Sequence, residues 1–172
     1  WVDTQLHWQA ATITFTPLFF DRLSNTTVFR FAAANAFRDR GVTFTNARAF
    51  STVLPRADRK WMLVGGGQGL LLAQVATSSC ETYDPITDTF VPGPNLSTPR
   101  SIHTATQLAD GTWLIAGGVN ASNDPQASCE IYDPFSDTFT AVTPMNVPRT
   151  GHTATLLANG KVLVTGGLLA MT

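Results

Sequence analysis

An all-β fold built from repeated four-stranded antiparallel sheets is predicted by three observations. The word "CETYDPITDTF" at Cys80 returns as "CEIYDPFSDTF" at Cys129, a separation of 49 residues. Residues 80 to 118 lie over 129 to 167 without a gap and with about half the positions identical. Within each copy, short β-prone runs alternate with Asp-Gly, Asn-Gly and Asp-Pro turn signals, the pattern of a meander. Four antiparallel strands in ~50 residues make one blade of a β-propeller.

The elements follow in order along one unit. "HTATQL" from His103 and "TWLIAG" from Thr112 are β-prone runs, and Ala109-Asp110-Gly111 joins them as a tight hairpin in which Asp-Gly supplies positive φ. Asn159-Gly160 stands in the same place one copy later, whereas Asp58-Arg59 in the earlier copy predicts a looser hairpin or another turn. The third strand is "SCEIYD", ended by Pro134 because proline cannot donate to the ladder. The fourth lies near Thr138 to Val142 and leads through a proline-containing connection into the next arginine.

The degraded earlier copy sits at a shift of 52 residues, with Arg48 on Arg100, Trp61 on Trp113 and Gly65-Gly66 on Gly117-Gly118. Its three extra residues fall in "GQGLLLAQVATSS", where a loop would absorb them. The chain thus divides into units at 48–97, 98–147 and a partial 148–172, preceded by 1–47 as a divergent partial blade or an N-terminal extension. "FFDRLSNTTVF" from Phe19, with Phe20 on Tyr132 and Asp21 on Asp133, would make Ala11 to Phe31 the outer strands of a preceding blade. The total is about three to three and a half blades, fewer than the four to eight of closed propellers, so an incomplete ring is expected, with open edges inviting self-association.

The repetition itself has a physical reading. A small twisted sheet with apolar residues on both faces buries neither alone, and like blades stacked around an axis cover one another. Tyr83 and Tyr132 with Phe90 and Phe139 are then packing between sheets. The pairs Gly65-Gly66, Gly117-Gly118 and Gly166-Gly167 let backbone turn or approach closely near the channel.

Composition narrows the function classes. Only 13% of the 172 residues are charged and the formal net charge is −1, which offers no general attraction to nucleic acid or an anionic membrane. No apolar run approaches the ~20 residues of a membrane-spanning helix, so membrane insertion is not expected. Cys80 and Cys129 occupy one place in two stacked copies, too far apart for a disulfide, and read as buried free thiols. Sequons at Asn25, Asn95 and Asn120 suit an extracellular or cell-surface protein, or arise by accident in a Thr-rich chain. No cofactor is expected: there is no G-x-S-x-G nucleophile motif, and "VGGGQG" at Val64 matches neither nucleotide loop.

The double Gly ending the second strand, a Tyr 14 residues on and an aromatic seven after that resemble the kelch repeat, with Phe90 or Phe139 where Trp is usual. "PRTGHTATLLANGKVLVTGG" is similar to bacterial kelch-like sequences and to the central propeller of the galactose oxidase superfamily. The resemblance implies a loop face made by the connection before each first strand and the loop between second and third strands. That face would carry Arg48, Arg100 and Arg149, one per unit, with His103, His152, Asn120, Asn123 and Asp124. The arginines either form a rim that holds a carboxylate or phosphate, as kelch adaptor domains hold acidic peptides, or bond backbone carbonyls of the neighbouring blade. The histidines read as packed rings donating to backbone, since no Asp, Cys or Glu stands beside them at metal-ligand spacing.

The same resemblance raises an enzyme. Copper radical oxidases need a cysteine bonded to a ligand tyrosine, a second tyrosine and two histidines. Laying their "ARGY" segment on "PRSI" and "PRTG" puts Ile102 and Gly151 at the ligand position, and Cys80 and Cys129 lie beside third-strand tyrosines. The expectation is a non-catalytic scaffold that binds a protein or carbohydrate, possibly anionic, at its loop face; the alternative is a fragment of a galactose- or glyoxal-oxidase-like protein, or of another propeller enzyme, with its catalytic residues elsewhere.

Overall fold

In the computed structural model, residues 48–68 and 74–169 are described in full, together with the backbone of four strands nearer the N-terminus. Those four, Thr4–Trp8 with Ala11–Phe15 and Phe29–Phe31 with Phe37–Asp39, form two separate antiparallel hairpins. The proposed placement of Phe20 and Asp21 falls outside the described residues, as does the side chain of His7.

The described residues are all-β. In the first blade Thr52–Pro55, Trp61–Val64, Cys80–Asp84 and Thr89–Pro92 pair in sequence order as an antiparallel meander. Thr104–Gln107, Trp113–Ala116, Cys129–Asp133 and Thr138–Val142 repeat that order in the second blade. Thr150–Leu156 and Val162–Leu168 then form a two-stranded hairpin equivalent to the first half of a blade. The extra length after Gly65-Gly66 is taken up around a two-residue ladder, Gly67–Gln68 against Val75–Ala76.

The core lies between the blades. Leu54, Met62, Val64, Cys80 and Leu96 of the first unit meet Ile115 and Tyr132 of the second, with Ala105, Trp113 and Phe139 packed against them. Tyr132 is fully buried there. Within each blade the tyrosine also leans on the aromatic of the fourth strand, with ring centroids 4.9 Å apart in both Tyr83–Phe90 and Tyr132–Phe139, a favourable tilted geometry. Cys80 and Cys129 are buried free thiols, and burial pushes the Cys80 thiol up to about 11.

The repeated word Tyr-Asp-Pro-x-x-Asp is explained by its turn. The first aspartate accepts from the amide two residues on, Asp84 from Ile86 and Asp133 from Phe135, each at 2.8 Å, an Asx-turn. The second aspartate takes a left-handed conformation, φ 58° at Asp88 and 57° at Asp137, and accepts the phenol of the tyrosine, Tyr83 at 2.5 Å and Tyr132 at 2.9 Å.

The hairpins between first and second strands differ from the expectation. All three use one turn, in which the fourth residue donates to the first: Arg59 to Arg56, Gly111 to Leu108 and Gly160 to Leu157. Only that fourth residue has positive φ, at 64°, 88° and 79°, so Asp110 and Asn159 do not need it. This is a type I turn followed by a left-handed residue rather than a mirror-image tight turn. Asp58-Arg59 therefore forms the same turn as its relatives, at the steric cost of placing a side chain where glycine fits best.

Candidate functional site

Successive units meet through backbone and side-chain bonds at the loop face. Gly66 N donates to Arg100 O at 2.9 Å, and Gly118 N donates to Arg149 O at 3.0 Å. The first glycine of each pair permits that approach, since a Cβ on Gly65 would stand 2.5 Å from Arg100 O and one on Gly117 would stand 2.6 Å from Arg149 O. Both also hold positive φ, 55° and 62°, so two separate physical reasons require glycine. Ile102 N donates to Phe50 O and Gly151 N to Ile102 O, a second chain of bonds from unit to unit.

The three arginines do not form an open rim. Arg48 and Arg100 have side chains with no exposure, each paired at 2.7 Å with a third-strand glutamate, Glu81 and Glu130. Arg100 also donates to Gly117 O and Ser128 O at 3.0 Å, and Arg48 to Gly65 O and Ser79 O. Those carbonyls belong to the arginine's own blade, not to its neighbour. The reason is geometric: the guanidinium reaches across the loop between second and third strands, while the arginine's backbone carbonyl makes the contact with the preceding blade. Arg149 makes the equivalent bond to Gly166 O at 2.8 Å and remains half exposed.

The histidines bond side chains of the preceding unit rather than backbone. His103 Nε2 lies 2.9 Å from Thr52 Oγ1, and His152 Nε2 lies 2.9 Å from Thr104 Oγ1. First strands are thus linked hydroxyl to imidazole around the inner edge. Burial, then the charge of Arg100 and that of His152, pushes the His103 ring down to about 3; His152 moves the same way, by burial and Arg149.

The loop after Gly118 is the part of this face that stays open. Asn120 is half-buried and its Oδ1 accepts from Ser122 N at 2.8 Å and Asp124 N at 2.9 Å. Its neighbours Ala121 to Asp124 are exposed, with Asn123 left-handed at φ 64°. On the same face Phe50, at the start of the first blade, is 50% exposed. This loop and Phe50 differ from copy to copy, whereas the arginines, glycines and histidines recur.

Sequence reasoning named the arginines but missed Glu81 and Glu130, which the structure brings to them. The signal was present, since "CE" opens the third strand in both copies and a repeated charge inside a strand flanked by Cys and Tyr calls for a buried partner. Arg56 was missed too: it reaches from the first blade's hairpin to Tyr132 Oη at 3.2 Å and to the Asp137 carboxylate in the second blade.

Copper fits none of these groups. No three of the His, Cys, Asp and Glu side chains cluster as a metal set among the described residues. Tyr83 and Tyr132 are held by turn aspartates, and the two imidazoles by threonines.

No family model and no curated protein matches the sequence. Among solved structures 147 chains match. One is a novel fungal alcohol oxidase with catalytic diversity among the AA5 family, in complex with copper, similar at a TM-score of 0.65 and 24% identity over 79% of this chain. This chain spans 31% of that protein. At such identity the likeness concerns the fold, and it agrees with the blades seen here: all-β, antiparallel and part of a propeller.

Proposed function

We propose that this chain is a non-catalytic segment of a kelch-type propeller that takes a protein or carbohydrate ligand on its loop face. The observation that supports it is a division of labour. Residues that recur between copies are occupied inside the scaffold, Arg48 and Arg100 by buried carboxylates and the glycines by neighbouring carbonyls. The open loop Ala121 to Asp124 is polar, exposed and held by its own Asx bonds. A prearranged set of side-chain amides and carboxylates loses little freedom on hydrogen-bonding sugar hydroxyls or a peptide backbone, and loops on rigid sheets commonly carry binding. Screening the chain against an oligosaccharide array and a displayed peptide library tests this. Replacing Asn123 and Asp124 by Ala should abolish the interaction found and leave the melting temperature unchanged; binding indifferent to both replacements would refute the reading.

One observation favours a second reading, the likeness to an alcohol oxidase in complex with copper. Under it the chain is a segment of a propeller enzyme whose catalytic residues lie outside the residues described. Copper titration followed by visible absorbance separates the two, since the scaffold reading expects no charge-transfer band.

A further inference from the structure

The last hairpin holds half of a site whose complete form is present twice in the same chain. In both full blades the arginine before the first strand points across the loop to a third-strand glutamate, Arg48 to Glu81 and Arg100 to Glu130. Arg149 is set in the same way, its Nη1 bonded to Gly166 O at 2.8 Å as Arg100 Nη1 is to Gly117 O at 3.0 Å. No carboxylate faces it among the described residues. The outer edge of Val162–Leu168 is likewise unpaired, since this hairpin is a two-stranded sheet. Leu163, Leu168 and Leu169 stand 50%, 58% and 65% exposed.

We propose that this edge is a docking site for an acidic β-strand of a partner polypeptide, which pairs antiparallel with Val162–Leu168 and gives its glutamate to Arg149. The register follows from the second blade, where Glu130 lies opposite Ile115, Cys129 opposite Ala116 and Tyr132 opposite Trp113. The hairpin counterparts of Ile115, Ala116 and Trp113 are Val164, Thr165 and Val162. The glutamate of the docked strand therefore lies opposite Val164, a small residue opposite Thr165 and an aromatic opposite Val162. Charge complementarity selects this occupant. Two copies of the chain meeting edge to edge at Val162–Leu168 would bring Arg149 no carboxylate. Main-chain pairing supplies affinity in such strand addition, and the guanidinium supplies selectivity.

The test is independent of any ligand at the loop face and uses a defined probe. A fluorescein-labelled peptide with the sequence of residues 126–142, which carries the third and fourth strands of the second blade, is titrated with the whole chain and followed by anisotropy. Saturable binding is expected, weakened at least about tenfold by Glu130→Gln in the peptide and equally by Arg149→Leu in the protein. The peptide variant leaves the protein untouched, so a loss there cannot come from misfolding, and the two changes together should cost no more than either alone. Equal binding of the Glu and Gln peptides would overturn the proposal. So would absence of saturation, or sedimentation showing copies of the chain associated through this edge whether or not Arg149 is present.

Discussion

Removing Glu130 should unfold much of what this chain gains from its second blade. Its carboxylate and the Arg100 guanidinium are 2.7 Å apart with side-chain exposures of 1% and 0%. Glu130 also accepts Ser97 N at 2.7 Å and Thr98 Oγ1 at 3.4 Å, tying the connection between blades to the third strand. Glu130→Ala leaves the arginine charge buried with only carbonyl and hydroxyl acceptors, a loss of about 3–5 kcal/mol. Domains of this size hold only about 5–15 kcal/mol in all. With a urea dependence near ~2 kcal/mol per molar, the midpoint should fall by roughly 2 M. Arg100→Met alone should also destabilise, by orphaning Gly117 O and Ser128 O, but the double variant should be less damaged than the sum of the singles by about 2 kcal/mol. Urea unfolding followed by tryptophan fluorescence reads all four proteins. A Glu130→Ala shift below about 1 kcal/mol, or strictly additive singles, would refute the assignment of this pair as a buried scaffold bond.

Three further outcomes follow from the same geometry. Gly117→Ala places a Cβ 2.6 Å from Arg149 O in a residue at φ 62°, whereas Gly166→Ala meets nothing within 4 Å at φ 71°; thermal melts should show the first costing at least about 2 kcal/mol more than the second, which pays only the backbone term of roughly 1 kcal/mol. Arg59→Gly relieves a left-handed arginine at φ 64° and should stabilise by about 1 kcal/mol, with destabilisation counting against the shared turn. The buried His103 ring holds no proton until about pH 3, while the unfolded ring takes one near pH 6.5, so its contribution is complete above pH 6.5 and is lost as pH falls toward 3. Between pH 7 and 4.5 wild type should lose on the order of 2–3 kcal/mol more than His103→Asn in denaturant titrations, and parallel profiles would contradict the burial of that ring.

The blades were legible in the sequence because contact with a neighbouring copy constrains the same positions each time. The glycine pairs, the tyrosines and Asp-Pro turns each answer a local steric or hydrogen-bond demand that recurs with the unit. What was not legible lies across strands or across blades. The destination of the Arg100 side chain depends on a partner 30 residues away, and its own carbonyl, not its charge, makes the contact with Gly66. His103 finds a hydroxyl on another unit's first strand, a pairing that register within one unit does not reveal. The Asp58-Arg59 turn was misjudged because the aspartate's bonds to Lys60 N and Arg56 Nε help hold a conformation that residue preference alone disfavours.

The account rests on successive units bonding backbone to backbone at the glycine pairs. Nuclear magnetic resonance detection of scalar couplings across hydrogen bonds tests this directly, in protein labelled with ¹⁵N and ¹³C. Correlations from Gly66 N to the Arg100 carbonyl carbon and from Gly118 N to that of Arg149 are the predicted result. Couplings from these amides to carbonyls of their own unit alone would contradict it.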